Sequence, residues 1–251
     1  NAWFDVEEYV PAAFKVESKT DKTEYISGDT ARLEVNANYY FGVPLVGGQV
    51  EYSVVSQNYY FDKYRDEYFA FGLPWYYCYD NCSYGDKFIL RGQADLGPSG
   101  RAVIAQPLDF NKIFTDPKER ESKIFTVYLT VRNRNGQAVS ARQSFIVHAG
   151  DYYLGLNTDK YFAGKNEKFK VRMKAVDTGG QPVARQNIKL SVSQVGWREN
   201  KRQEVDGGYY YRWEKVLDQK IAKTIGTDNQ GNWSEEISLA EEGEYEISAQ
   251  G

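Results

Sequence analysis

Apolar and polar residues alternate along short stretches of this chain, and the alternation predicts strands. From Thr30 to Asn38, Ala31, Leu33, Val35 and Ala37 share one side, the period of two expected of a half-buried β-strand. Gln49 to Val55 continues the pattern through Val50, Tyr52 and Val54, after a Gly- and Pro-rich turn from Phe41 to Gly48. Further along, Glu167 to Ala175 alternates through Phe169, Val171 and Met173. The turn Asp177-Thr178-Gly179-Gly180-Gln181-Pro182 then leads to Ile188, Leu190 and Val192. Ile124 to Val131 and Ala138 to Val147 flank Asn133-Arg134-Asn135-Gly136, and an Asn-Gly between two alternating runs signals a hairpin. Thr227 to Asn232 is a similar turn before a strand from Trp233 to Leu239, and Tyr245 to Gln250 follows. No helical period stands out. Asp116 to Lys123, with Pro117 early, predicts at most one helical turn.

The pattern is written twice. Thr20 to Gln57 and Asn157 to Gln194 match, with Gly28 against Gly164, Val35 against Val171, Pro44 against Pro182 and Val54 against Val192. A repeat this long copies a whole domain. Many short strands with turns between them indicate an all-β fold of two tandem antiparallel β-sandwiches. The seam is placed at His148, Gly150 and Asp151. The copies end differently: the first has a last strand reaching Val147, and the second stops after Tyr245 to Gln250. Ala2 to Val10 reads as an extra strand ahead of the first copy. The expected division is therefore residues 1–10 as the last strand of a preceding domain, 11–149 as one sandwich with a long aromatic insertion, and 150–251 as a second lacking its final strand. An edge left open in this way invites strand swapping or edge pairing with another chain. The short seam implies a restrained joint with a modest interface.

The 251 residues suffice for two domains, and the net charge of −4 argues against a nucleic-acid partner. No apolar run has membrane-spanning length and no signal peptide is recognisable. Tyrosines number 21, in keeping with strands. They crowd from Tyr59 to Tyr84, with Trp75, Tyr76 and Tyr77 near the centre. A parallel set, Trp197, Tyr209, Tyr210, Tyr211 and Trp213, follows the second copy. Three roles compete for these rings: covering the sandwich, meeting a neighbouring domain or partner, and stacking on sugars. Cys78 and Cys82 flank a turn-prone Asp80-Asn81; a local disulfide and two reduced thiols are equally good readings.

The stretch Phe4-Asp5-Val6-Glu7-Glu8-Tyr9-Val10-Pro11-Ala12-Ala13-Phe14-Lys15-Val16 resembles a junction between macroglobulin-like domains. The turn from Tyr39 to Gly48 and the run from Phe145 to Tyr153 are similar to a turn and a further junction of that family. The likeness covers nearly the whole chain, and points to the alpha-2-macroglobulin family, bacterial type. It implies seven-stranded sandwiches of immunoglobulin- or fibronectin-III-like architecture. They would act as framework in a large extracellular, periplasmic or cell-envelope protein that traps proteases after a bait region is cut. Partners would be neighbouring domains of the same parent chain and, through the whole protein, target proteases. The family's thioester needs Cys-x-Glu-Gln. Cys78 leads into Tyr79-Asp80-Asn81 and Cys82 into Ser83-Tyr84-Gly85, so the expected thioester, catalytic and metal residues are none.

Other constellations read as structural. His148 is the sole histidine, and reads as a polar residue of a linker rather than a catalytic base. Two cysteines and a distant histidine do not complete a zinc site, and no carboxylate pair or calcium loop is singled out. Asn81 and Asn232 fit the glycosylation pattern, with no use expected in a bacterial protein. No cofactor and no enzymatic activity are expected. The alternative function is a carbohydrate-binding or adhesive cell-surface tandem.

Overall fold

The computed structural model describes residues 13–72, 85–203 and 209–251. Residues 1–10, Trp75, Tyr76, Tyr77, Cys78 and Cys82 lie outside the described residues. The chain divides into two compact units, the first holding residues 13–59 and 85–150, the second 60–72 and 151–251 of those described.

The first unit is a sandwich of two sheets. The smaller runs β1 (Phe14–Thr20), β3 (Thr30–Tyr39), β7 (Arg101–Pro107). The larger runs β2 (Glu24–Ile26), β9 (Ala138–His148), β8 (Lys123–Arg132), β4 (Gln49–Asn58), β6 (Lys87–Asp95). All pairs are antiparallel except β2 with β9. Alternating side chains build the core: Leu33, Val35 and Ala37 from one sheet meet Val50, Val54, Phe125, Leu129 and Val147 from the other. The rings of Phe110, Phe125 and Phe145 stack through it, with centroids 6.2 and 5.8 Å apart. Phe110 opens a one-turn helix, α1 (Phe110–Ile113), whose N-cap Asp109 accepts from the Asn111 N–H at 3.0 Å. The turn expected within Asp116 to Lys123 is a 3₁₀ turn at Pro117–Glu119.

In the second unit, one sheet runs β14 (Asn232–Ile237), β11 (Phe169–Asp177), β10 (Tyr152–Thr158), β5 (Ala70–Phe71). The other runs β13 (Tyr209–Gly226), β12 (Asn187–Gln203), β15 (Tyr245–Gln250). Met173, Ile188 and Leu190 pack between the sheets, with Val171, Val192 and Ile237 beside them.

The duplication is obeyed residue by residue, with one correction. Phe14 pairs with Tyr39 and Tyr152 with Asp177, so from β1 through β4 residue n of the first unit answers to n + 138. Isolated bridges join Asn38 to Pro44 and Val176 to Pro182. Asp21 accepts from the Arg32 N–H at 2.9 Å, and Asp159 from that of Lys170 at 2.8 Å. β4 and β12 are irregular at the same place, Val54/Val55 and Val192/Ser193. Val35 therefore answers to Met173, not Val171, and Gly28 to Asn166, not Gly164. Gly28 and Asn166 both take positive φ, +107° and +60°, which the true match requires. A slip of two residues leaves every side chain on the same face, so hydrophobic patterning cannot detect it.

The two units differ at β15. Its counterpart β8 lies between β4 and β9, whereas β15 pairs among the described residues with β12 alone. Phe125, Val127 and Leu129 of β8 are at most 5% exposed. The answering Tyr245, Ile247 and Ala249 are only half-buried.

Candidate interaction site

The chain leaves β4 after Asn58 and does not return directly to the first sandwich: residues 60–72 fold as part of the second unit. Their strand β5 is two residues long, with Phe71 opposite Gly155 and Ala70 opposite Leu156 on the outer edge of β10. So short a pairing holds little by itself, since isolated two-stranded ribbons are marginal. Aromatic packing supplies the rest. The Phe61 ring stacks on Tyr153 at 4.5 Å and packs tilted against Phe71 at 4.9 Å, and Phe61 is 6% exposed. Burial of one such ring contributes about 2–3 kcal/mol.

Polar groups set the position. Tyr64 donates its hydroxyl proton to the Gly180 carbonyl at 2.6 Å. The Lys63 ammonium donates to the carbonyls of Gly179 at 2.6 Å and Thr178 at 3.3 Å. These carbonyls line the turn after β11, where Gly180 has φ +86°. Asn157 donates its side-chain N–H to the Glu67 carbonyl at 2.9 Å. Lys174 bridges to the Glu67 carboxylate at 2.8 Å and lies 4.2 Å from the Tyr64 ring centre and 5.2 Å from that of Phe69. That ammonium thus faces two rings and a carboxylate at once. Gly155 is required for close approach: a β-carbon there would come within 2.5 Å of the Phe71 ring. Sequence reading grouped these rings within 11–149. The clue it lacked was Gly155, the one small residue where β10 meets an aromatic.

The other described residues singled out from sequence lie on separate elements. His148 is not in a linker: it ends β9, is buried, and its Nε2 lies 3.2 Å from the Glu24 carboxylate. The Tyr59 ring meets it edge-on at 5.7 Å. β2 and β9 run in parallel here, Ile26 opposite His148. The chain passes between units from Gly150 to Asp151. Trp197 and Trp213 stand exposed on β12 and β13; of Tyr210 only its place on β13, opposite Arg202, is described.

Two ionisable features are structural. Tyr25 is pushed up to about 12 by burial, and next by its hydrogen bond to Asp21. Burial raises the Glu121 carboxyl and lowers the neighbouring Lys123 ammonium, and Lys123 donates to the Asn58 side chain. A shallow depression is lined by Glu51, Tyr52, Ser53, Phe88, Arg91, Tyr128 and Thr130. Among the described residues no cluster of His, Cys, Asp and Glu could hold a metal ion. No described helix is long and apolar enough to cross a membrane.

Comparison with known proteins agrees with this architecture. No family model matches the chain. Over 244 residues it is 25% identical to an alpha-2-macroglobulin homolog of Nostoc sp., covering 97% of this chain and 12% of that protein. The chain thus spans about an eighth of the length of that relative. Among solved structures, Salmonella alpha-2-macroglobulin reacted with methylamine superposes with a TM-score of 0.63 at 12% identity, over 97% of this chain and 16% of that one. Escherichia coli alpha-2-macroglobulin in its native conformation gives 0.61 at 12% identity, over 93% and 15%. The same protein activated by porcine elastase gives 0.56 at 10% identity, over 93% and 22%. The resemblance carried by the junction and turn motifs is borne out: from end to end the chain is similar to bacterial alpha-2-macroglobulins, and its fold is theirs.

Proposed function

We propose that the chain is a pair of macroglobulin-like sandwiches that serve as scaffold and interaction modules in a longer, protease-trapping protein of the alpha-2-macroglobulin kind, outside the cytoplasm. Trapping belongs to the longer protein. The observation that carries this reading is the docked segment 60–72. Residues of the connection between two strands of the first sandwich are spent on the second. Residues 60–72 thus belong by chain order to the first sandwich and by contacts to the second. Such a construction suits a framework that transmits or resists rearrangement.

The same proposal includes the domain limits, 1–10, 11–149 and 150–251, with residues 60–72 lent to the second domain. A strand beside β15, placed as β9 is beside β8, would cover Tyr245, Ile247 and Ala249. The neighbouring domains of the longer protein are the direct partners, and the proteases it traps are partners through the whole.

The test compares chain 1–251 with a longer natural polypeptide containing it, each incubated with trypsin or elastase and a large protein substrate. The longer polypeptide is expected to slow cleavage of the large substrate, and chain 1–251 alone to have no effect. Inhibition or hydrolysis by chain 1–251, or indifference of the longer polypeptide, would overturn the reading.

A further inference from the structure

The second unit has its own counterpart of the segment that contains 60–72. β4 and β12 bulge at matching places, and Ser56 opposite Lys87 answers to Gln194 opposite Asp218. The first unit's connection, 57–86, therefore answers to residues 195–217. Here the described residues stay extended: beyond Gln194, the last residue of β12 paired with β15, β12 and β13 run on as a two-stranded ribbon as far as Gln203 and Tyr209. Alternate residues of β13 share a face, and Tyr209, Tyr211 and Trp213 are 58, 58 and 56% exposed. In the first unit's connection the comparable ring, Phe61, is 6% exposed because a sandwich receives it. A lysine rides over a ring in both: Lys63 over Phe61 at 5.9 Å and Lys201 over Tyr209 at 3.9 Å. Lys63 uses its remaining donors on the receiving sandwich's turn carbonyls.

We infer that the ribbon of residues 195–203 and 209–217 docks its Tyr209, Tyr211 and Trp213 face on a further β-sandwich of the same polypeptide, as 60–72 docks on the second unit. This rests on the scaffold reading above. The receiving surface is defined by the one seen here: an open first-strand edge, a glycine under a ring as at Gly155, a ring to stack on as at Tyr153, and turn carbonyls for a lysine as at 178–180. Among the described residues, the first-strand edges of a second copy of this chain do not offer it. Its β10 edge is filled by β5. On β1 the answering positions hold Lys15 and Glu17, joined in an ion pair at 2.8 Å, so a ring would meet charge and a side chain where β10 offers Tyr153 and Gly155. An exposed aromatic face of this kind marks an interaction surface.

Hydroxyl-radical footprinting tests the inference, with Tyr211 and Trp213 oxidation followed in chain 1–251 and in the longer polypeptide. Oxidation is expected to fall at least about fivefold in the longer polypeptide, as for rings at a buried interface, without change on dilution. Tyr211→Asp should restore Trp213 oxidation while Phe61 stays protected, showing that the fold is intact. Equal oxidation in both polypeptides would overturn the inference. So would protection lost on dilution, which means self-association, or protection of chain 1–251 by added chitooligosaccharide, which means a sugar-stacking face. Protease retardation measured on the same preparation separates the two readings: open rings in a polypeptide that still slows proteolysis refute the docking and leave the scaffold function standing.

Discussion

Gly155 lies directly beneath the ring of Phe71, at a spacing that leaves no room for a β-carbon. Through this contact an aromatic segment that follows β4 becomes the fourth strand of a sheet more than eighty residues further along. Gly155→Val is expected to expel β5 and release residues 60–72. Overpacking of this kind costs about 1–3 kcal/mol, comparable to the roughly 2–3 kcal/mol that burial of the Phe61 ring contributes to holding the segment. Tryptic cleavage after Lys63 should accelerate strongly, while the core strands of both sandwiches stay resistant.

The cation that faces this segment gives a milder version of the same test. Lys174→Met keeps the length of the side chain but removes its charge from Glu67, Tyr64 and Phe69. A partly desolvated cation over a ring contributes about 1–2 kcal/mol. Cleavage after Lys63 should rise by roughly the corresponding factor of ten, and Lys174→Arg should recover part of the loss.

The duplicated turn predicts paired effects. Gly100 and Gly231 adopt φ +69° and +73°, and a β-carbon on either would lie 2.5 Å from a backbone carbonyl, that of Ala37 or of Ala175. Gly100→Ala and Gly231→Ala should each destabilise its own sandwich by about 1–3 kcal/mol, a left-handed conformation plus a clash with main chain. Hydrogen exchange should report the first change in β3 and β7, and the second in β11 and β14.

Much of this was legible in the chain itself. Strands β3, β8 and β11 bury one face, so their alternation appears in the sequence. β5 was hidden because two residues carry no period and their partner is remote. The ribbon was hidden because the face that carries Tyr209, Tyr211 and Trp213 is exposed, so apolar residues there mark no core. The offset between copies slipped at Val35 because Val171 is an identical residue two places from the true counterpart, Met173. Positive φ at Gly28 and Asn166 settles it, through a property shared by two different residue types.

Asp21 provides a pH-dependent test. Its carboxyl is held below the usual range, first by the Tyr25 hydroxyl at 2.6 Å and next by the Arg32 N–H. A group depressed on folding stabilises fully above its unfolded value, near pH 4, and loses that contribution as the pH falls through the folded value. Asp21→Asn should therefore destabilise the fold at pH 7, modestly because the carboxylate is exposed and screened by solvent. The difference should shrink steadily below about pH 4, as urea unfolding at a series of pH values would show. Tyr25, pushed up to about 12, works in the opposite sense: its contribution is present below its unfolded value, near pH 10, and is lost as the pH rises through 12. Tyr25→Phe should remove that alkaline step.

The central claim is that a connection of one sandwich is structurally part of the next, and native-state hydrogen exchange tests it most directly. In the unaltered chain, peptides within 60–72 should exchange slowly, together with β10 and β11. In Gly155→Val they should exchange rapidly, with β4 and β8 unchanged. Exchange of 60–72 at the rate of unstructured chain in the unaltered protein, beside a protected β10, would contradict the account.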